Sequence, residues 1–152
     1  MVFIAGGVGI NPFMSMLSSI SETLNAEFQV EVLYSLRDPG MCRSLDEMLF
    51  VERIGKILQK LNSGSGRCWP LKLFLTKGLE KSGVLEGNGF QTRFIGRRIE
   101  EADLISALGT VKERAGTVVY ICGPPRMTDE LVDIAKKAEG MDERHVLCEK
   151  WW

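Results

Sequence analysis

Three glycines, Gly6, Gly7 and Gly9, stand between an apolar run, Val2-Phe3-Ile4-Ala5, and a proline at position 12, with no linker on either side. Glycine opens backbone torsions closed to other residues, and its missing Cβ lets another group come close to the main chain. A helix starting directly after such a loop offers free N–H groups and the positive end of its dipole, which together attract an anion such as a pyrophosphate. Gly6, Gly7, Val8 and Gly9 supply those N–H groups, and Ile10, Asn11 and Pro12 complete the loop. Pro12 suits the first helical turn, where its missing N–H has no partner to lose. A branched side chain at Gly9 is expected to fill space that the pyrophosphate needs. The spacing is G-x-G-x-x-P and departs from the G-x-G-x-x-G of ordinary dehydrogenases. Taken alone it also fits a plain strand-to-helix turn.

A second apolar run, Thr117-Val118-Val119-Tyr120-Ile121, empties into Cys122-Gly123-Pro124-Pro125-Arg126-Met127, which opens a helix through Glu139. The chain closes on Cys148-Glu149-Lys150-Trp151-Trp152. For these groups to work together, their strand ends must share one edge. In a parallel open sheet they do, because the C-terminal ends of all strands lie along one edge, and ligands sit in the crevice there.

The elements needed for that arrangement are present in alternation. A strand over Val2 to Ala5 leads to an amphipathic helix over Pro12 to Leu24, with Phe13, Met16, Leu17 and Ile20 on one face. A strand from Phe28 to Leu36 follows, and the capping box Ser44-Leu45-Asp46-Glu47 predicts a helix from Leu45 to Leu61 that dissolves into a flexible connection, Asn62-Ser63-Gly64-Ser65-Gly66. A strand from Leu71 to Thr76 exits into a polar loop expected to run from Lys77 to Gly96. A helix over Glu100 to Leu108, the strand at Val118, the helix from Arg126 and a last strand from His145 to Glu149 complete the chain. Such alternation predicts an α/β fold: a doubly wound, five-stranded parallel sheet with helices on both faces.

The glycine loop ending in proline, the Cys-Gly-Pro segment and the aromatic ending, in this order, resemble the pyridine-nucleotide-binding half of the ferredoxin-NADP reductase superfamily. The ending resembles the flavodoxin-reductase type, an acid, one spacer, then two aromatics. The resemblance implies a flavoenzyme that takes hydride from NAD(P)H onto FAD. It assigns Cys122 a place beside the nicotinamide, with Gly123 and Pro124 keeping that loop close, and it assigns Glu149 to the hydrogen-bonded set around the ring. Trp151 matches the aromatic that stacks on the flavin and is displaced by nicotinamide, and Trp152 would stack on the flavin's adenine or cap the edge. The flavin signature Arg-x-Tyr-Ser/Thr does not occur in the sequence. FAD is therefore expected on a barrel domain of the same polypeptide, with residues 1–152 as its C-terminal half. The abrupt start at a core strand fits that expectation. An electron acceptor outside the chain and a mitochondrial setting follow from the resemblance alone, while an intracellular, reducing setting is expected from the four cysteines read as free thiols.

Nucleotide choice is written weakly. An acid after the second strand reads the ribose in ordinary NAD enzymes, yet that strand ends Tyr34-Ser35-Leu36-Arg37-Asp38, with cation and acid side by side. Ser35 and Arg37 are candidate contacts there. Thr76-Lys77 is a diluted form of the hydroxyl–cation pair that NADP-using relatives carry after the third strand. Arg93, Arg97 and Arg98 add positive charge. Lysine lacks the bidentate fork of arginine, so NAD is placed ahead of NADP.

The chain has 152 residues, 45% hydrophobic and 26% charged, ordinary for one globular domain with a real core. With 19 basic and 20 acidic residues the net charge is −1, which argues against nucleic acid or an anionic membrane as the main partner. No apolar stretch approaches the roughly 20 residues that span a bilayer. Cys42, Cys68, Cys122 and Cys148 show no C-x-x-C spacing, and His145 is the only histidine, so neither a zinc set nor a dithiol motif is written here. A nucleotide-sensing module or a thiol-redox protein are the alternatives from other classes.

Overall fold

Alternation in Val2–Gly6 (β1) sends Phe3 and Ala5 into one apolar cluster and Val2 and Ile4 into another, so this strand must be covered on both faces. The computed structural model describes residues 1–22, 29–40, 44–65, 70–78, 81–87 and 90–150. In it β1 is followed by a 3₁₀ turn, Gly7–Ile10, that runs straight into α1, Asn11–Glu22. Next come β2 (Glu31–Arg37), a second 3₁₀ turn (Leu45–Glu47), α2 (Val51–Ser65) and β3 (Leu71–Thr76). Strands β4 (Gly83–Gly87) and β5 (Phe90–Ile95) precede α3 (Glu101–Ala107) and the single-turn α4 (Val111–Arg114). The chain then forms β6 (Val119–Cys122), α5 (Pro125–Lys137) and β7 (Val146–Glu149).

The sheet order is β4-β5-β3-β2-β1-β6-β7, and every neighbouring pair is parallel except β4 with β5. The five predicted strands are its continuous parallel core, β3-β2-β1-β6-β7. On one face α1 and α2 bring Phe13, Leu17, Val51, Ile54 and Leu58 against Phe3, Val32, Tyr34 and Leu73. On the other, α3 and α5 bring Leu104, Leu131 and Ala135 against Ile4, Leu33, Phe74 and Ile121. The spacings 13-17 and 131-135 are the helical repeat that puts such side chains on one stripe. Winding runs from β1 outward to β3 and then returns to β6, so the switch point lies between β1 and β6. Among the described residues no helix is long and apolar enough to cross a membrane.

Three expectations are corrected. The segment from Lys77 to Gly96 is not a loop: β4 and β5 form an antiparallel hairpin, with Gly87 paired to Phe90, and β5 extends the parallel sheet beside β3. Its polarity belongs to the solvent face, while Leu85, Thr92 and Phe94 are buried. The helix predicted from Leu45 starts at Val51; the capping-box residues close only a 3₁₀ turn, and Phe50 takes a left-handed φ of 59°. That break turns the chain so that Leu45, Met48 and Val51 all bury. At its far end α2 continues through Ser65 instead of dissolving at Asn62. The predicted ends at Leu24 and Phe28, and Gly66, lie outside the described residues.

Arg97 is structural. Its guanidinium takes Asp103 with both nitrogens, at 2.5 and 2.9 Å, and lies 5.5 Å from the centre of the Phe74 ring, while Asp103 also accepts the Glu100 amide at 2.9 Å. This fork fixes the start of α3 against the sheet. The Arg97 hydrogen bond holds the Asp103 carboxyl below its ordinary pKa. A depressed acid pKa stabilises the fold above the unfolded value, and the effect is lost as pH falls through the folded one. Arg97→Ala should therefore cost about 1 kcal/mol or less at neutral pH, since the arginine is partly exposed. In denaturant unfolding the difference from wild type should shrink below about pH 4.

Candidate functional site

The predicted strand ends do share one edge. Across the sheet Ala5 pairs with Cys122 and Cys122 with Glu149, while Gly6 pairs with Ser35. Arg37 pairs with Thr76 two residues farther out, about 7 Å along the strands.

The two glycine motifs are in direct contact. A Cβ on Gly9 would lie 2.2 Å from the Cys122 carbonyl oxygen and 2.8 Å from the Gly123 nitrogen. One on Gly6 would fall 2.6 Å from Pro124 Cδ, and one on Gly123 3.0 Å from the Gly6 nitrogen. Gly6, Gly9 and Gly123 are thus glycine so that the β1 and β6 turns can interlock. Gly9 accordingly faces β6, not open ligand space as the sequence suggested. Gly7 is the opposite case: its φ is +54° and nothing lies within 4 Å of where a Cβ would point. Val8 beside it is 70% exposed. The 3₁₀ turn places Ile10 in the core, leaves Asn11 exposed at the start of α1 and puts Pro12 in the first helical turn, as the sequence suggested. The first turn of a helix leaves N–H groups without intrahelical acceptors, so the open side of this loop is the side on which an anion would meet donors. Pro124 precedes α5 and Pro125 is its first residue, a second helix start on the same edge.

Cys122 is fully buried, on the α1 face, and Cys148 is exposed. Cys148 pairs with Ile121, whose side chain belongs to the other face, so the two thiols lie on opposite sides of the sheet and cannot join in a disulfide. Glu149, half-buried at the end of β7, accepts the Tyr120 hydroxyl at a long 3.5 Å. Burial and then the Glu149 charge raise the Tyr120 phenol pKa, and Phe13 meets the Tyr120 ring edge-on at 5.3 Å. Beyond Glu149, Lys150 pairs with Asp129 of α5 at 2.6 Å. Trp151 and Trp152 lie outside the described residues.

On the other flank, the residues suggested for nucleotide choice are differently engaged. Thr76 donates its hydroxyl to the Leu36 carbonyl at 3.0 Å, while Lys77 is exposed with a left-handed φ of 63°. Arg37 is exposed, and Ser35 is half-buried beside Gly6. Asp38 is buried: its Oδ1 accepts the Gly40 amide at 2.9 Å, and Gly78 comes so close that a Cβ would fall 1.7 Å from Oδ2. Asp38 therefore closes its own turn. Arg97 is held by Asp103, whereas Arg93 and Arg98 are exposed.

Sequence reading missed Tyr34. Fully buried at the level of Ala5, it donates its hydroxyl toward two carbonyls, Gly7 and Leu49, each at 3.1 Å. A tyrosine inside an apolar strand, one residue from the end of the neighbouring glycine strand, was the available signal, because a buried phenol needs an acceptor.

Comparison with known proteins agrees with this geometry. The family model for the oxidoreductase NAD-binding domain matches residues 3–133. Oxidoreductase NAD-binding domain-containing protein 1 of Pongo abelii is 29% identical over 157 residues, covering 100% of this chain and 45% of the relative. The reductase component of propane 2-monooxygenase from Rhodococcus jostii (strain RHA1) is 27% identical over 154 residues, covering 99% of this chain and 35% of the relative. NADH-cytochrome b5 reductase 1 of Cryptococcus neoformans var. neoformans serotype D is 31% identical over 127 residues, covering 84% and 38%. The chain thus spans less than half the length of these curated relatives. The match over most of its length, on a sheet whose glycine loops meet at the switch point, shows that the chain belongs to the oxidoreductase NAD-binding domain family, the nucleotide-binding domain of the ferredoxin-reductase group.

Proposed function

We propose that this chain is the pyridine-nucleotide half of a flavin-dependent reductase, binding NADH or NADPH along the C-terminal strand edge beside FAD held on another domain of the same polypeptide. The observation that carries this reading is the interlocking of the β1 and β6 turns, which sets an anion-attracting loop, Cys122 and Glu149 on three adjacent strand ends. The open, left-handed Gly7 and the exposed Val8 leave room for a pyrophosphate, so the residues present fit a dinucleotide. When bound, the reduced nicotinamide supplies a hydride and the flavin accepts it. The chain's part is to hold and orient. The main chain of Gly6 to Gly9, with Ile10 and Asn11, takes the pyrophosphate, and Pro12 fixes the helix start. Gly123 and Pro124 keep the second turn against the first. Cys122, being covered, shapes the floor at the nicotinamide end and does not react there. Glu149 would offer a carboxylate to the ring's amide group, Trp151 would cover the flavin face in competition with nicotinamide, and Trp152 would stack on the flavin's adenine or cap the edge.

On the ribose side Asp38 is committed to its own turn and the Thr76 hydroxyl to Leu36, which leaves Ser35, Arg37 and Lys77 to meet the nucleotide. With the Thr76 hydroxyl engaged beside Lys77, two exposed cations discriminate weakly, so NADH is the ordinary donor and NADPH is also accepted. Two relatives are named as reductases, which supports electron transfer to an acceptor that this domain does not itself select.

Without flavin the domain is expected to bind nucleotide at about 100 μM to 1 mM. In the FAD-loaded polypeptide that contains this chain, NADH added without oxygen should bleach the flavin absorbance. Nucleotide binding with no flavin reduction would point to a sensing module instead. Trp151→Ser should remove a competitor for the flavin face. The expected result is tighter binding of oxidised nucleotide, a charge-transfer band, slower release and looser NAD/NADP discrimination. Unchanged affinity, spectrum and turnover would remove Trp151 from the account.

A further inference from the structure

We propose that Tyr34 is a positioning residue for the dinucleotide: its buried hydroxyl holds the Gly7 carbonyl inward and so presents the Val8 N–H outward to the pyrophosphate. The inference rests on the binding site proposed above and adds a residue to it. Tyr34 sits on β2 beside Ala5, fully buried in the apolar cluster that also holds Phe3, Phe13 and Val51. Its oxygen lies 3.1 Å from the Gly7 carbonyl and 3.1 Å from that of Leu49. The hydroxyl has one proton to share between these acceptors, so both carbonyls converge on one buried point.

A trans peptide points its C=O and N–H in opposite directions, and none of the described peptide bonds is cis. With the Gly7 oxygen drawn into the core, the N–H of the same peptide, on Val8, is directed to the side where Val8 is 70% exposed. Gly7 at φ +54° has no Cβ to restrict its torsions, so glycine alone leaves this peptide free to turn. Beyond the 3₁₀ turn that begins at Gly7, the Tyr34 hydroxyl restrains this peptide through its oxygen. Its second acceptor belongs to the chain break before α2, where Phe50 has a left-handed φ, so the same side chain ties the loop to the segment that leads into α2. Burial pushes the Tyr34 phenol well above its ordinary pKa, so it is a protonated donor at neutral pH.

Tyr34→Phe deletes the donor and keeps the ring, which separates packing from positioning. Wild type and variant are to be titrated calorimetrically with NAD⁺ and ADP, which carry a pyrophosphate, and by ligand-observed NMR with adenosine, which does not. The variant should keep adenosine affinity and lose about five- to tenfold for both NAD⁺ and ADP, the equivalent of one net hydrogen bond. Equal losses for all three ligands, or no loss for any, would overturn the inference by making Tyr34 a purely structural residue. A wild-type protein that binds none of them would overturn the proposed function, and this inference with it. The wild type gives a second test that does not depend on the variant folding: inorganic pyrophosphate should move the Val8 amide resonance among the most of any in the domain. A Val8 amide that stays in place while other amides move would also overturn it.

Discussion

Gly9→Val is expected to destabilise the domain by about 3 kcal/mol or more and to abolish nucleotide binding, because the new side chain is driven into the β6 main chain. Even a single Cβ at this position would stand 2.2 Å from the Cys122 carbonyl oxygen and 2.5 Å from its carbon. Backbone in a central strand of the sheet cannot retreat as a flexible side chain can, so the β1 and β6 turns must separate. Thermal unfolding should register a fall of about 10 °C. Gly7→Ala is the control: its Cβ enters open space and bears only the left-handed torsion, about 1–2 kcal/mol. Should Gly9→Val prove as stable as Gly7→Ala, the two turns are not packed as described.

Val8→Asp is expected to weaken nucleotide binding about ten- to a hundredfold while leaving the fold intact. Val8 is exposed at the tip of the loop, so the substitution removes little packing. A carboxylate there would face the pyrophosphate, and two like charges about 4 Å apart repel by roughly 1–4 kcal/mol between bulk water and a protein surface. Part of the loss should return at high salt, which screens exposed charge. Val8→Thr, similar in size and uncharged, should bind as wild type does. Calorimetry in which Val8→Asp matches wild type would place the pyrophosphate elsewhere.

The parts of this molecule most legible in the sequence were those dictated by local chemistry. A buried strand feeding glycines and a proline can build few things, and the same holds for Val119-Tyr120-Ile121 feeding Cys122-Gly123-Pro124. Both turns are on the one strand edge where they were expected, and the structure makes their strands neighbours. Long-range geometry was less visible. That Gly6, Gly9 and Gly123 interlock depends on the pairing of β1 with β6, which no local window contains. The missed hairpin did carry a signal: Thr92 and Phe94 alternate with Gln91 and Arg93, and Asn88-Gly89, a strong two-residue turn sequence, separates the paired Gly87 and Phe90. Its charged solvent face outweighed that pattern. The capping box at Ser44 was a true helix-start motif overruled by packing, since the chain breaks at Leu49–Phe50 to bury Leu45 and Met48. Asp38, Thr76 and Arg97 show the limit of reading charge alone, because each is engaged by partners distant in sequence or by its own turn.

The central claim, a pyridine nucleotide held on the joined β1 and β6 turns, is tested most directly by mapping backbone amide shifts across the whole domain during titration with NAD⁺. The largest changes should fall on Gly6 to Asn11 and on Cys122 to Arg126, with Glu149 and Lys150 following when the nicotinamide end is engaged. At the opposite edge of the sheet lies a hollow of about 360 Å³ lined by residues that include Met1, Glu31, Gly109 and Thr117. Shifts confined to that hollow, or none at millimolar nucleotide, would contradict the account.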